Sequence, residues 1–189
     1  GVWQITTNGT RFWFGQWYYQ ARNTNQRYFV EVDGKTYNFD TEGYVTPGVH
    51  ALYDDWAAMM RGEMNVWRFD EKGALICQIT EKGVIDGHDG VKYLVEEDGY
   101  VHGGNAGLAS YDDAIYFVNH SGKLALDVNK EVTSDNSRDL LVAGTYYFGT
   151  DGKLFTGVKT GADGVLYYYN NGKLGNGIYN SELTEINGD

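Results

Sequence analysis

The chain has 189 residues, enough for one large domain or a short array of repeats, and 42% of them are hydrophobic, which can build a core and excludes wholesale disorder. A formal net charge of −11 opposes a nucleic-acid partner, which needs a basic face, and opposes adsorption to anionic membranes. Glycine occurs 26 times and proline once, a balance that suits many tight turns rather than a flexible linker.

Read from the N-terminus, Trp3 to Gly9 gives a loose first copy of a recurring pattern: an aromatic residue, any residue, a large apolar residue, a short polar stretch, then glycine. Arg11 to Tyr19 is dense in aromatics and is expected to cap a repeat array, since terminal repeats are atypical. Cleaner copies follow at Tyr28 to Gly34 and Tyr37 to Gly43. His50 to Arg61 reads as one short helix, because its Ala and Met content favours helix and Gly62 can end it. The pattern returns at Trp67 to Gly73, Tyr93 to Gly99 and Tyr116 to Gly122. Between these copies Gly103 to Asp113 reads as a glycine-rich loop, and Asp127 to Asp139 as a polar surface loop. The cleanest copy is Tyr146-Tyr147-Phe148-Gly149-Thr150-Asp151-Gly152, and Tyr167 to Gly172 repeats it with one residue fewer in the turn.

The pattern has a direct physical reading. Alternate side chains of a strand share a face, so Tyr146 and Phe148 point one way and Tyr147 the other. Asp151-Gly152 supplies a turn, and Lys153-Leu154-Phe155 is expected as the return strand. A lone hairpin is marginal in water, but stacked hairpins share a buried stripe. Successive units start roughly 20 to 30 residues apart, within the range of solenoid-like arrays. The expected fold is therefore all-β: an array of stacked β-hairpin repeats, solenoid-like, with one short helical insertion. Residues 1–27 form an aromatic-rich cap, 28–143 irregular repeats with insertions, and 144–189 regular repeats. An ordinary β-sandwich, which also has many short strands and glycine turns, is the alternative.

Signals for chemistry are weak. Cys77 is the single cysteine, so no internal disulfide forms, and it reads as a buried, inert thiol. His50, His88, His102 and His120 with Cys77 match no zinc spacing, and Asp86-Gly87-His88-Asp89-Gly90 lacks the EF-hand ligand order and reads as a turn. The acidic pairs Asp54/Asp55 and Asp112/Asp113 read as a solvated face or a helix start rather than as a glycosidase pair. No nucleophile elbow, Walker loop or dinucleotide fingerprint is present. No catalytic residue, metal or cofactor is expected. No apolar run reaches the roughly 20 residues that span a bilayer, so no membrane insertion is expected. The chain opens on Gly1 without an initiator Met or a signal peptide, which reads as a segment of a longer protein.

The segments Thr145 to Val158 and Leu166 to Ile178 resemble two adjacent cell-wall-binding repeats, each with a Gly-Lys-Leu turn exit. That superfamily includes choline-binding modules, the glucan-binding domains of glucansucrases and the C-terminal repeats of clostridial glucosylating toxins. The match covers residues 144–178, and weaker hairpin units extend it over most of the chain. The resemblance implies a secreted or cell-wall-attached protein of Gram-positive bacteria, with a non-catalytic role in holding cell-wall polymer or glycan. The sequence departs from the choline-binding pattern: the junctions read Gly157-Val158 and Gly177-Ile178 where that subfamily has Gly-Trp, so its cation-holding aromatic cage is incomplete.

Sugar recognition needs aromatic faces for the apolar side of the ring, with amides and carboxylates nearby for the hydroxyls. The candidates are Tyr147 and Tyr168, the middle residues of the triplets, then Tyr179 beyond the last junction, and Tyr146 and Tyr167. The alternatives are a structural spacer or protein-interaction stalk, with its aromatics buried between hairpins, and an ancillary piece of an enzyme whose catalysis lies elsewhere. Exposed hairpin edges leave homodimerisation open.

Overall fold

The computed structural model describes residues 2–5, 11–14 and 19–175. The described chain is an all-β array of antiparallel hairpins with one short helix. It divides into two compact units, residues 1–105 with 120–123, and residues 106–119 with 124–189.

In the first unit the hairpins are Val2–Ile5 with Arg11–Phe14, Phe29–Val32 with Lys35–Asn38, and Gly83–Asp86 with Lys92–Val95. A larger sheet centres on Glu63–Phe69, which pairs with Gly48–Leu52, Leu75–Ile79 and Val101–His102. Met64, Val66, Val95 and Val101 are buried in one apolar cluster, and Tyr37, Phe39 and Val45 in another. Trp3 and Trp13 pack against the second cluster, so the first two aromatic strands contribute to it.

The helix is shorter than its composition suggests, running Trp56–Arg61. Asp55 caps it by accepting from the Ala58 N–H, and Gly62 ends it in a left-handed conformation. The preceding segment from His50 belongs to the strand Gly48–Leu52, whose ladder to Glu63–Phe69 overrides the local helix preference. Cys77 is exposed rather than buried. Its strand lies at the margin of the sheet, where Ile76, Cys77 and Gln78 all face solvent.

In the second unit Gly107–Tyr111 pairs with Ala114–Val118, Val128–Val132 with Gly144–Phe148, and Gly157–Thr160 with Leu166–Asn170, which continues to Lys173–Leu174. The two segments expected as loops therefore contain strands: Gly107–Tyr111 and Val128–Val132. Asp112 and Asp113 form the two-residue turn between the first pair, both at positive φ. The core of this unit is Leu108, Phe117, Ala125, Val132, Tyr146 and Phe148.

One feature of the pairing differs from the sequence reading. At three of the repeats the long ladder is with the strand before the turn and the return is a single bridge, Phe39 with Val45, Val118 with Leu124 and Phe148 with Leu154, whereas Leu166–Asn170 keeps a two-residue return ladder and Glu63–Phe69 a longer one. The turn itself is held by an aspartate: Asp151 Oδ1 accepts from Lys153 N, as Asp70 Oδ1 does from Lys72 N and Ala74 N. Such side-chain hydrogen bonds close the turn without requiring a long return ladder.

Candidate binding groove

A cavity of about 360 Å³ opens in the second unit, lined by Asp127, Val128, Asn129, Tyr147, Lys159, Gly161, Tyr167, Tyr169 and Leu174. Register explains why these residues meet. Asn129 sits opposite Tyr147 in one ladder, and Lys159 sits opposite Tyr167 in the next. Residues directly opposite one another share a face, and Tyr169 lies two residues from Tyr167 on that same face. The turn Asn171-Gly172 then ties the two hairpins: Gly172 N donates to Phe155 O at 2.7 Å, and Tyr147 N donates to Gly172 O at 2.7 Å.

Tyr147 is the floor of the groove, with only 5% of its surface exposed. Its ring is 4.8 Å from that of Tyr169, tilted by 34°, and meets Phe155 edge-on at 5.4 Å. The Tyr147 hydroxyl donates to Asp127 Oδ1 and accepts from Lys159 Nζ at 2.6 Å. Lys159 Nζ also bonds Asp127 Oδ1 and stands 4.3 Å from the centre of the Tyr147 ring. Asp127 takes a left-handed backbone, φ 50°, which Asp tolerates better than most residues, and its N–H is anchored to Gly149 O at 3.0 Å.

The charges respond to this closeness. Hydrogen bonds from Lys159 and Tyr147 hold the Asp127 carboxyl below its usual range. The Lys159 ammonium is pushed up to about 12 by its bonds to Asp127 and Tyr147. Burial first, then the bond to Asp127, raises the Tyr147 phenol. At the rim Tyr167 donates to Asp163 Oδ2 at 2.6 Å, which lowers the Asp163 carboxyl and raises the Tyr167 phenol.

Of the sequence candidates, Tyr147 and Tyr167 line the groove. Tyr146 does not: it is 3% exposed in the apolar cluster, with its hydroxyl donating to Val142 O at 2.9 Å, because its position in the strand points it to the core. Tyr168 is half-buried and alternates away from Tyr167 and Tyr169. Tyr179 lies outside the described residues. Sequence reasoning missed Tyr169, Lys159, Asp127 and Asn129. Their signal is cross-strand register, which requires knowing that residues 128–132 and 157–160 are strands.

A second hollow of about 370 Å³ in the first unit is lined by Gly34, Lys35, Thr36, Asp70, Ala74, Leu75 and Ile76, with no aromatic ring among them. Among the described residues no group of three or more His, Cys, Asp or Glu side chains could hold a metal ion. Among the described residues no helix is long and apolar enough to cross a membrane.

No family model matches the chain, and no curated protein matches it. Solved structures do. The chain is similar to CbpJ from Streptococcus pneumoniae at 16% identity and a TM-score of 0.39, covering 97% of this chain and 56% of that one. It is similar to the modular autolysin LytC from Streptococcus pneumoniae, solved in complex with a synthetic peptidoglycan ligand, at 13% identity and a TM-score of 0.37, covering 99% of this chain and 39% of that one. It is also similar to truncated alternansucrase from Leuconostoc mesenteroides at 20% identity and a TM-score of 0.28, covering 74% of this chain and 10% of that one. The chain thus spans little more than half of CbpJ and a small part of the alternansucrase.

Proposed function

We propose that this chain is a non-catalytic binding module for cell-wall polymer or glycan, acting at a bacterial cell surface, and that the groove between the hairpins 128–148 and 157–174 is a ligand site. The observation that carries this reading is the groove: a ring-sized hollow with two half-buried tyrosines, Tyr167 and Tyr169, beside the Asn129 amide and the Lys159 ammonium. Aromatic faces receive the apolar side of a sugar ring, and the polar groups satisfy its hydroxyls. Weak sites of this kind add through avidity when several hairpin grooves engage one polymer.

The test is retention on insoluble glucan and Gram-positive cell wall. Replacing Tyr167 and Tyr169 together with Ala should weaken retention while leaving the circular dichroism spectrum intact. Tyr168→Ala, on the other face of the same strand, should leave retention unchanged. Equal loss in both variants, or no loss in the double variant, removes the groove from the binding role.

A structural spacer is the second reading, favoured by the burial of Tyr146 and Tyr147. It predicts no retention of the wild-type chain on any of these matrices.

A further inference from the structure

We infer that the hollow of the first unit is a peptide site, which takes a short extended peptide with an apolar side chain and charges of both signs. The inference does not depend on the glycan groove of the second unit.

The hollow, of about 370 Å³, opens where two strand edges part. Lys35–Asn38 pairs on one side with Phe29–Val32, and Leu75–Ile79 pairs on one side with Glu63–Phe69. Among the described residues one bridge, Tyr37 with Ala74, joins the first of these strands to the residue before the second. The bridge is antiparallel, so a continued ladder would set Thr36 opposite Leu75 and Lys35 opposite Ile76. No ladder forms there, and these four residues line the gap instead. A β-bulge explains the parting. The register steps from Phe69 with Leu75 to Arg68 with Cys77, which leaves Ile76 as the extra residue. A bulged strand bends, and its extra residue stays out of the ladder. Ile76 is 58% exposed, and Cys77 and Gln78 beyond it are exposed as well. Every second residue of an open edge turns its N–H and C=O outward, and an extended peptide is the ligand that matches such a row.

The side chains at the gap supply the charge preference. Asp70 uses Oδ1 to close its turn on Lys72 N and Ala74 N, and its Oδ2 accepts no hydrogen bond among the described residues. The Lys35 ammonium and the Thr36 hydroxyl likewise have no partner among the described residues. Lys35 and Asp70 thus line one hollow without forming an ion pair, whereas Lys82, Lys92 and Lys159 each hold a carboxylate. Opposite charges held apart fit a ligand that carries both. A purely anionic ligand would meet Asp70 and the field of a chain at −11, and a purely cationic one would meet Lys35. Leu75 and Ile76 offer the apolar contact, and the volume falls in the usual range of small-ligand pockets, about 300–1,000 Å³.

The experiment is a nitrogen–proton correlation NMR titration of the whole chain with the acetylated and amidated pentapeptide Lys-Val-Thr-Val-Glu, on the wild type, Lys35→Glu and Ile76→Ser. The same peptide N-methylated along its backbone is the control. The wild type should show saturable shifts at the amides of residues 34–36 and 74–76, and the N-methylated peptide should not produce them, since it cannot donate to a strand edge. Lys35→Glu and Ile76→Ser should each weaken binding about fivefold or more. Absence of saturable shifts at these amides in the wild type overturns the inference, as does equal binding of the N-methylated peptide or undiminished binding by both variants. If a variant fails to fold, the two wild-type titrations still decide. Isomaltotriose moving these amides where the peptide does not would make the hollow a sugar site, and overturns the peptide assignment alone.

Discussion

Tyr147, Asp127 and Lys159 hold one another through hydrogen bonds that persist only while the carboxylate is ionised and the ammonium protonated. The folded Asp127 value is depressed, so its contribution is present above the ordinary carboxylate value of about 4 and is lost as pH falls through the lower folded value. Lys159 is raised from 10.5 to about 12, so its contribution is fully present below 10.5 and is lost as pH rises through 12. A carbon-detected titration of the Lys159 Cε should therefore find an ammonium that stays charged past the pH at which exposed lysines release their protons. Asp127→Asn should bring that midpoint down toward 10.5; a midpoint unmoved by the substitution would show that the contact does not form in solution. At this scale the sequence revealed the tyrosine-rich triplets but not which ring faces the groove. Tyr147 is the middle residue of its triplet and Tyr167 and Tyr169 the outer residues of theirs, an assignment that depends on how neighbouring hairpins stack.

Hairpins were legible wherever an aromatic triplet led into an aspartate and a glycine. Asp70 and Asp151 show why: the carboxylate closes the turn on the backbone N–H groups that follow, and the glycine takes positive φ. Val128-Asn129-Lys130-Glu131-Val132 was not legible, because a strand with most of its residues exposed carries little apolar alternation. That strand is nonetheless the partner of Gly144–Phe148 and one wall of the groove. Two substitutions test the element scale. Phe148 is fully buried, so Phe148→Ala should lower unfolding free energy by about 3–5 kcal/mol in urea titrations. Gly172 has φ 74°, and a Cβ there would run into Leu154 Cδ1. Gly172→Ala should cost at least about 1–2 kcal/mol from the left-handed backbone alone, and should weaken glycan retention by moving the Tyr147 N–H away from Gly172 O. A Gly172→Ala chain with wild-type stability would contradict the assigned turn.

Across the whole molecule, a formal net charge of −11 opposes a nucleic-acid partner, which needs a basic face, and the ring faces of the second unit's groove carry the glycan reading. The glycan reading makes a direct prediction for the intact chain. The most direct measurement is retention of the wild-type chain on insoluble Gram-positive cell wall, peptidoglycan and α-glucan, with free neutral oligosaccharide and choline as competitors. The account predicts retention on at least one of these polymers, released by the oligosaccharide. No retention on any matrix would contradict it.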